Sequence, residues 1–138
     1  MKEPQIINLP KILDHRGNLS FFESSNHIPF EIKRTFWIYD VPGGEIRGGH
    51  AYCEQEEFIV AMSGSLDVIL FDGLSEIKYS LNRSFYGLYV PNGYWRHMEN
   101  FSTNSLVLVA SSTFYDAKDY IRDKQRFIDQ KANEKFNI

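Results

Sequence analysis

The sequence predicts an all-β sandwich or barrel, and three observations carry that prediction. Between Thr35 and Ser112 the chain falls into short apolar runs separated by Gly, Pro, Asn and Asp, the punctuation of successive strands. Aromatic residues make up 15% of the chain, with Phe 11 and Tyr 8, and sheets favour such side chains. No linker, repeat or low-complexity stretch interrupts the pattern. At 138 residues and 43% apolar content the chain can bury a core without disulfides or metals, so one domain over residues 1–138 is expected.

The runs come in order. Residues 6–13, 19–23 and 30–33 read as weaker strands, with a turn over 14–18. Residues 35–40 form a strand that stops at Pro42-Gly43-Gly44. Residues 58–62 stop at Ser63-Gly64, and 66–71 stop at Asp72-Gly73. Residues 87–90 end at Pro91-Asn92-Gly93, and 106–110 follow the polar stretch 102–105. Residues 117–135 are charged with sparse apolar positions (Tyr120, Ile121, Phe127, Ile128), which suggests a helical tail lying on a surface. An early strand exchanged between two subunits would hide an open sheet edge, so a strand-exchanged homodimer is the expected assembly.

Bulk properties exclude several classes. A net charge of −3 argues against a nucleic-acid binder. No apolar run approaches the ~18 residues of a membrane span. The start, Met1-Lys2-Glu3-Pro4, lacks a secretory signal pattern, and the single Cys53 cannot form an internal bridge. A cytoplasmic protein is the expectation.

Chemistry concentrates in residues 48–64 and 87–100. Along a strand alternate residues share a face, so His50 and Tyr52 should enter one pocket. The series His50, Tyr52, Glu57, Gly64 and the series Pro91, Gly93, Arg96, Asn100 resemble the two motifs of the cupin barrels. In metal-binding cupins these positions supply three His and one Glu, a good set for a divalent ion. Here a phenol fills the second His slot and Arg96 the third. Arginine stays protonated and does not ligate metal, and its charge repels a cation, so no metal is expected. His97 should face away if its segment is extended. Taken without the motif, His50 reads as a satisfied core residue and Arg96–Glu57 as a buried salt bridge.

A more specific resemblance covers nearly the whole chain. It rests on Asp14-x-Arg16-Gly17-x-Leu19, Ile32-Lys33-Arg34, Arg47-Gly48-Gly49-His50-Ala51, Gly64-Ser65, Gly87-Leu88-Tyr89-Val90, Trp95, Tyr115-Asp116 and Asp119-Tyr120-Ile121-Arg122. In these the chain is similar to the dTDP-4-keto-6-deoxyglucose 3,4-ketoisomerases, bacterial sugar-nucleotide enzymes with a cupin (jelly-roll) β-barrel. The resemblance implies a dTDP-linked 4-keto-6-deoxy sugar as substrate and removal of its C3 proton. An enediol or enediolate across C3 and C4 follows, and reprotonation at C4 leaves a 3-keto sugar. An aminotransferase can then make a 3-amino-3,6-dideoxy sugar for a bacterial glycan. No redox cofactor is required.

Such a reaction needs a carbon base, a proton shuttle between two oxygens, and a group that holds negative charge. His50 is the candidate base, because an ordinary imidazole titrates near neutrality. Tyr52 departs from the His-Ala-His that family members often carry; an ordinary phenol is a poor carbon base, so it is assigned to O3 and O4. Arg96 would replace the metal electrostatically, with Glu57 beside it in the substrate site. Arg34 and Arg47 are candidates for the diphosphate, though each also fits a solvated strand-edge charge. Trp37, Tyr39 or Trp95 could stack on thymine or pack the core, and Trp95 is carried as the binding candidate.

One base that lifts a proton from C3 and returns it to C4 on the same ring face must give a galacto product, since only that ring has both hydrogens on one side. The expected product is therefore dTDP-3-keto-6-deoxy-D-galactose. Arg16 supports this product type and Arg96 points toward the gluco type. Three rivals remain: a gluco-configured product, a dTDP-sugar 3,5-epimerase, and a non-catalytic nucleotide-sugar-binding cupin.

Overall fold

A computed structural model describes residues 2–136. Twelve strands form: β1 (Gln5–Asn8), β2 (Lys11–Ile12), β3 (Leu19–Ser20), β4 (Arg34–Tyr39), β5 (Arg47–Tyr52) and β6 (Glu57–Ser63). After them come β7 (Leu66–Phe71), β8 (Glu76–Leu81), β9 (Tyr86–Val90), β10 (Trp95–Glu99), β11 (Leu106–Ser111) and β12 (Tyr120–Ile121). A 3₁₀ turn over Ala117–Asp119 precedes β12, and the one α-helix among the described residues is α1 (Lys124–Phe136). No helix among the described residues is long and apolar enough to cross a membrane.

The strands build two antiparallel five-stranded sheets, ordered β1-β9-β6-β11-β4 and β12-β5-β10-β7-β8. Alternation explains how they meet. Ile59 and Ala61 of β6, Leu88 and Val90 of β9, and Val107 and Val109 of β11 point inward from the first sheet. They pack against Leu66, Val68 and Leu70 of β7, Leu81 of β8 and Met98 of β10 from the second. This is the cupin jelly roll, built as two facing sheets rather than one closed ring.

The outer faces are also covered. Phe58, Val60, Tyr89 and Ala110 on the back of the first sheet pack against Leu9, Ile28 and Phe30 from the amino-terminal segment. Ala51 and Trp95 on the back of the second sheet pack against Ile121 and Phe127. The helix begins where Asp123 caps it, its carboxylate accepting from the Gln125 N–H at 3.0 Å.

Several sequence expectations need correction. Residues 6–13 break into β1 and β2, and β1 pairs with β9 of its own chain. Of residues 19–23 only Leu19–Ser20 pair, and 30–33 form no strand; their apolar side chains serve the outer core. The tail is not helical from 117: Tyr120 and Ile121 pair with Tyr52 and Ala51 as β12, and the helix starts at Lys124.

Candidate active site

A pocket of about 610 Å³ opens between β4, β5 and β12. His50 and Tyr52 enter it from alternate positions of β5, and Arg96 enters from β10, where it stands opposite His50 in the ladder. Phe36, Trp37, Ile38 and Tyr39 of β4, Tyr120 of β12, and the guanidinium-bearing residues Arg47 and Arg122 complete the walls. Gly48 is required here. It holds φ +75, and a Cβ on it would collide with the Arg96 guanidinium.

At the floor the Tyr52 hydroxyl is shared. It lies 2.8 Å from His50 Nε2 and 3.4 Å from Arg96 Nη2, which donates to it. Arg96 is 2% exposed and Glu57 1% exposed, so the pair is fully withdrawn from water. Arg96 Nε donates to Glu57 Oε1 at 2.7 Å and Nη2 to Oε2 at 2.8 Å, a bidentate fork. The remaining Nη1 donates to the Gly48 carbonyl at 3.3 Å. Burial opposes the Arg96 charge, but Glu57 and then Tyr52 outweigh it and the guanidinium stays protonated.

Electrostatics divide the labour between the ring groups. Burial, with the charges of Arg96 and Arg122, pushes His50 down to about 3, so the imidazole is neutral at ordinary pH. Burial first, then Glu57, pushes the Tyr52 phenol well above its usual range, so it keeps its proton. The site therefore offers one neutral base and one neutral hydroxyl that can donate and accept together.

The predicted residues sort unevenly. His50, Tyr52, Arg96 and Glu57 come together, and Arg47 lines the same pocket. Arg34 does not line it: its Nη2 donates to Gln55 at 2.9 Å and its guanidinium lies over Phe36 and Tyr115. Trp95 is 7% exposed on the opposite face of β10, packed against Phe127 beneath α1, so it cannot stack on a base in this pocket. Arg16 sits on the β2–β3 turn, its side chain 79% exposed and paired with Asp14 at 2.9 Å. His97 faces outward as expected and contacts Glu99 at 2.9 Å. Asn100 bonds Asp67 and has no part in the pocket. Sequence reasoning missed Arg122 and Tyr120 as pocket residues; their spacing of two, on the segment that follows a buried Asp119, was the available signal.

A second cleft of about 600 Å³ lies between α1 and the turn at Pro91-Asn92-Gly93. Its one nucleophile is Cys53, whose thiol is pushed up by burial and Asp119. A thiol held in its protonated form is a poor nucleophile.

The donor set does not suit a metal. Both Glu57 oxygens are taken by Arg96 and Gln55, and the Arg96 cation occupies the space beside them. Among the described residues no group of three His, Cys, Asp or Glu converges.

Comparison with known proteins finds relatives over most of the chain. The family described as "FdtA: WxcM-like, C-terminal" matches residues 2–132. A TDP-4-oxo-6-deoxy-alpha-D-glucose-3,4-oxoisomerase of Aneurinibacillus thermoaerophilus is 41% identical over 125 residues, 91% of this chain and 90% of that protein. The WlaRB TDP-quinovose 3,4-ketoisomerase of Campylobacter jejuni is 43% identical, with a TM-score of 0.88 over 94% of this chain and 99% of its own. The 3,4-ketoisomerase QdtA of Thermoanaerobacterium thermosaccharolyticum, solved with TDP, is 31% identical with a TM-score of 0.92, covering 95% of this chain and 96% of its own.

Proposed function

From the premise that this chain belongs to the FdtA (WxcM-like, C-terminal) family and is an isomerase of the 3,4-ketoisomerase type, we propose that it converts dTDP-4-keto-6-deoxy-D-glucose to dTDP-3-keto-6-deoxy-D-galactose without a metal. The observation that carries this reading is the single hydrogen bond between a neutral imidazole, His50, and a protonated phenol, Tyr52, beside a buried guanidinium.

The steps follow from those protonation states. The 4-keto group acidifies the C3 hydrogen, and His50 removes it. The C3 hydroxyl must then lose its proton while the C4 oxygen gains one. Tyr52 accomplishes both by giving its own proton to O4 and taking one from O3, so no phenolate forms. His50 finally returns its proton to C4, and O3 becomes the new carbonyl. Arg96 is neutralised overall by Glu57, so it acts as an oriented dipole whose positive end faces the developing enediolate. Arg47 and Arg122, on the same pocket wall as His50, bind the diphosphate. The 3-keto product is then suited to transamination.

Two features favour the galacto configuration. The pocket has one imidazole, and the raised Tyr52 cannot serve as a second carbon base. The gluco product is favoured by one observation: the 43%-identical relative acts on TDP-quinovose, which is a 6-deoxyglucose. Conversion in D₂O, trapping by a 3-aminotransferase and NMR of C4 separates the two. Deuterium at C5 would indicate a 3,5-epimerase, and no amino sugar would indicate a binding protein.

The active form is proposed to be a homodimer. Ile12, Leu13 and Leu19 on the β2–β3 hairpin are 54%, 70% and 55% exposed, and Trp37 and Tyr39 on the edge strand β4, which also line the pocket, are exposed too. Hairpin and edge strand belong against a second copy, which would carry Arg16 toward the partner's pocket mouth beside β4.

A further inference from the structure

A buried chain of hydrogen bonds runs behind the pocket, and its centre is Gln55, which is 2% exposed. The Gln55 carbonyl oxygen accepts from Arg34 Nη2 at 2.9 Å and from Thr113 Oγ1 at 2.8 Å. Two donors at one end fix the orientation of the amide. Its nitrogen therefore faces Glu57 and donates to Oε2 at 3.1 Å, the same oxygen that Arg96 Nη2 reaches at 2.8 Å. Asp119 holds the backbone of this corner, its carboxylate accepting from the N–H groups of Glu54 at 2.7 Å and Gln55 at 3.0 Å. The Tyr52 hydroxyl is thus tied to Arg34 through Arg96, Glu57 and Gln55.

Arg34 has little else to do. It does not line the pocket, and its Nε is buried with no partner, an arrangement that costs stability. Among the described residues its one polar side-chain contact is the bond to Gln55. A carboxylate whose two oxygens are held on three sides cannot rotate, and the guanidinium that forks onto it is held in turn.

We propose that Arg34 and Gln55 are positioning residues: they lock Glu57, and through it Arg96, so that the Tyr52 hydroxyl stays aligned for proton transfer, and Arg34 does not contact the nucleotide. This rests on the 3,4-ketoisomerase reading above.

Three variants of the full chain test it: Arg34→Met, Arg34→Lys and Gln55→Glu. The readouts are kcat and KM in the aminotransferase-coupled assay and TDP affinity by calorimetry. In Arg34→Met, kcat falls roughly tenfold as a hydrogen bond to a charged group is lost. KM and TDP affinity stay within about twofold of wild type, the split expected when only the chemical step suffers. Arg34→Lys, which still donates to Gln55, recovers most of kcat.

Gln55→Glu sets a second carboxyl against Glu57, with Arg34 on its far side, Arg96 beyond Glu57 and Asp119 beneath its backbone. Two adjoining carboxyls do not both ionise readily, so one keeps a proton and donates as the amide did. Turnover is therefore near wild type at low pH and falls as pH rises through the raised pKa of the pair. Wild type shows no such limb, and a merely structural role would lower Tm without creating one. If Arg34→Met does not fold, this limb decides alone.

A weakened TDP affinity in Arg34→Met with kcat unchanged would make Arg34 a phosphate ligand and overturn the proposal. So would unchanged kcat in Arg34→Met with no new limb in Gln55→Glu. Wild-type protein that binds TDP yet forms no 3-keto sugar would overturn the underlying reading instead, and the proposal with it.

Discussion

His50 and Tyr52 share one hydrogen bond of 2.8 Å between Nε2 and the phenol oxygen, and the two-residue period of β5 places both in the same pocket. The proposed base and the proposed relay are therefore coupled. Tyr52→Phe should lower kcat by about a hundredfold or more, the usual cost of a lost proton-transfer group, with TDP binding retained. Tyr52→His should keep substantial turnover, because an imidazole also donates and accepts. Coupled kinetics and calorimetry check both. Full activity in Tyr52→Phe would remove the hydroxyl from the mechanism.

The depressed His50 has consequences for pH. Burial and the neighbouring guanidinium groups of Arg96 and Arg122 hold it at about 3 in the fold, while an unfolded imidazole titrates near 6.5. The base proposed for the free enzyme is thus already neutral in mild acid, and kcat/KM should stay level down to about pH 5. A limb centred on the ordinary histidine value would show that His50 is not the base, or is not buried as described.

The same shift links His50 to stability. Between those two pH values the unfolded chain binds a proton that the folded chain refuses, so stability is complete above the unfolded value and is lost as pH falls toward about 3. His50→Gln cannot take that proton. On acidification from neutrality, the Tm of wild type should therefore fall relative to that of His50→Gln, whatever the other carboxylates do to both. Parallel Tm profiles would contradict the burial of a neutral imidazole.

How much of this was legible in the sequence depends on periodicity and on distance. His50 and Tyr52 were placed together because alternate strand positions share a face, whereas Glu57 and Arg96 were picked out only by the resemblance to the two cupin motifs. The same rule should have removed Trp95, which neighbours Arg96 and must face the other way, as His97 does. Strand β8 was missed because its single fully buried residue, Leu81, gives no apolar run. Gln55 and Asp119 lie 64 residues apart, and no local pattern announces that one caps the other. The tail misled because Tyr120 and Ile121 fit a helical spacing as well as a strand, and tertiary pairing with β5 decided between them.

Arg47 and Arg122 are the cationic residues of the pocket wall besides Arg96, whose charge Glu57 balances. Neither is tied to a carboxylate in a salt bridge among the described residues; Arg122 lies over the Tyr120 ring at 4.3 Å. They are free to meet a diphosphate. Replacing either with Met should weaken TDP roughly tenfold or more, and added salt should narrow the gap. Arg122→Met should also raise the His50 pKa, since Arg122 contributes to its depression. TDP affinity that is unchanged in both variants would move the diphosphate elsewhere.

The β2–β3 hairpin supports the last prediction. Among the described residues its two strands pair only with each other, at Lys11 with Ser20 and Ile12 with Leu19, and two-stranded ribbons are marginal in water by themselves. Leu13 is 70% exposed there, beside the turn that carries Arg16, whose hydrogen bonds among the described residues all go to Asp14. A second copy would give these side chains something to bury, so Leu13→Glu should shift the protein from dimer to monomer by light scattering at micromolar concentration. In the proposed dimer Arg16 would reach the partner's pocket, so a monomer that keeps its own His50, Tyr52 and Arg96 should lose kcat/KM alongside the mass. Arg16→Ala should lower kcat/KM while the mass stays that of a dimer. A wild-type protein that is monomeric and fully active would show instead that the hairpin serves neither assembly nor the site.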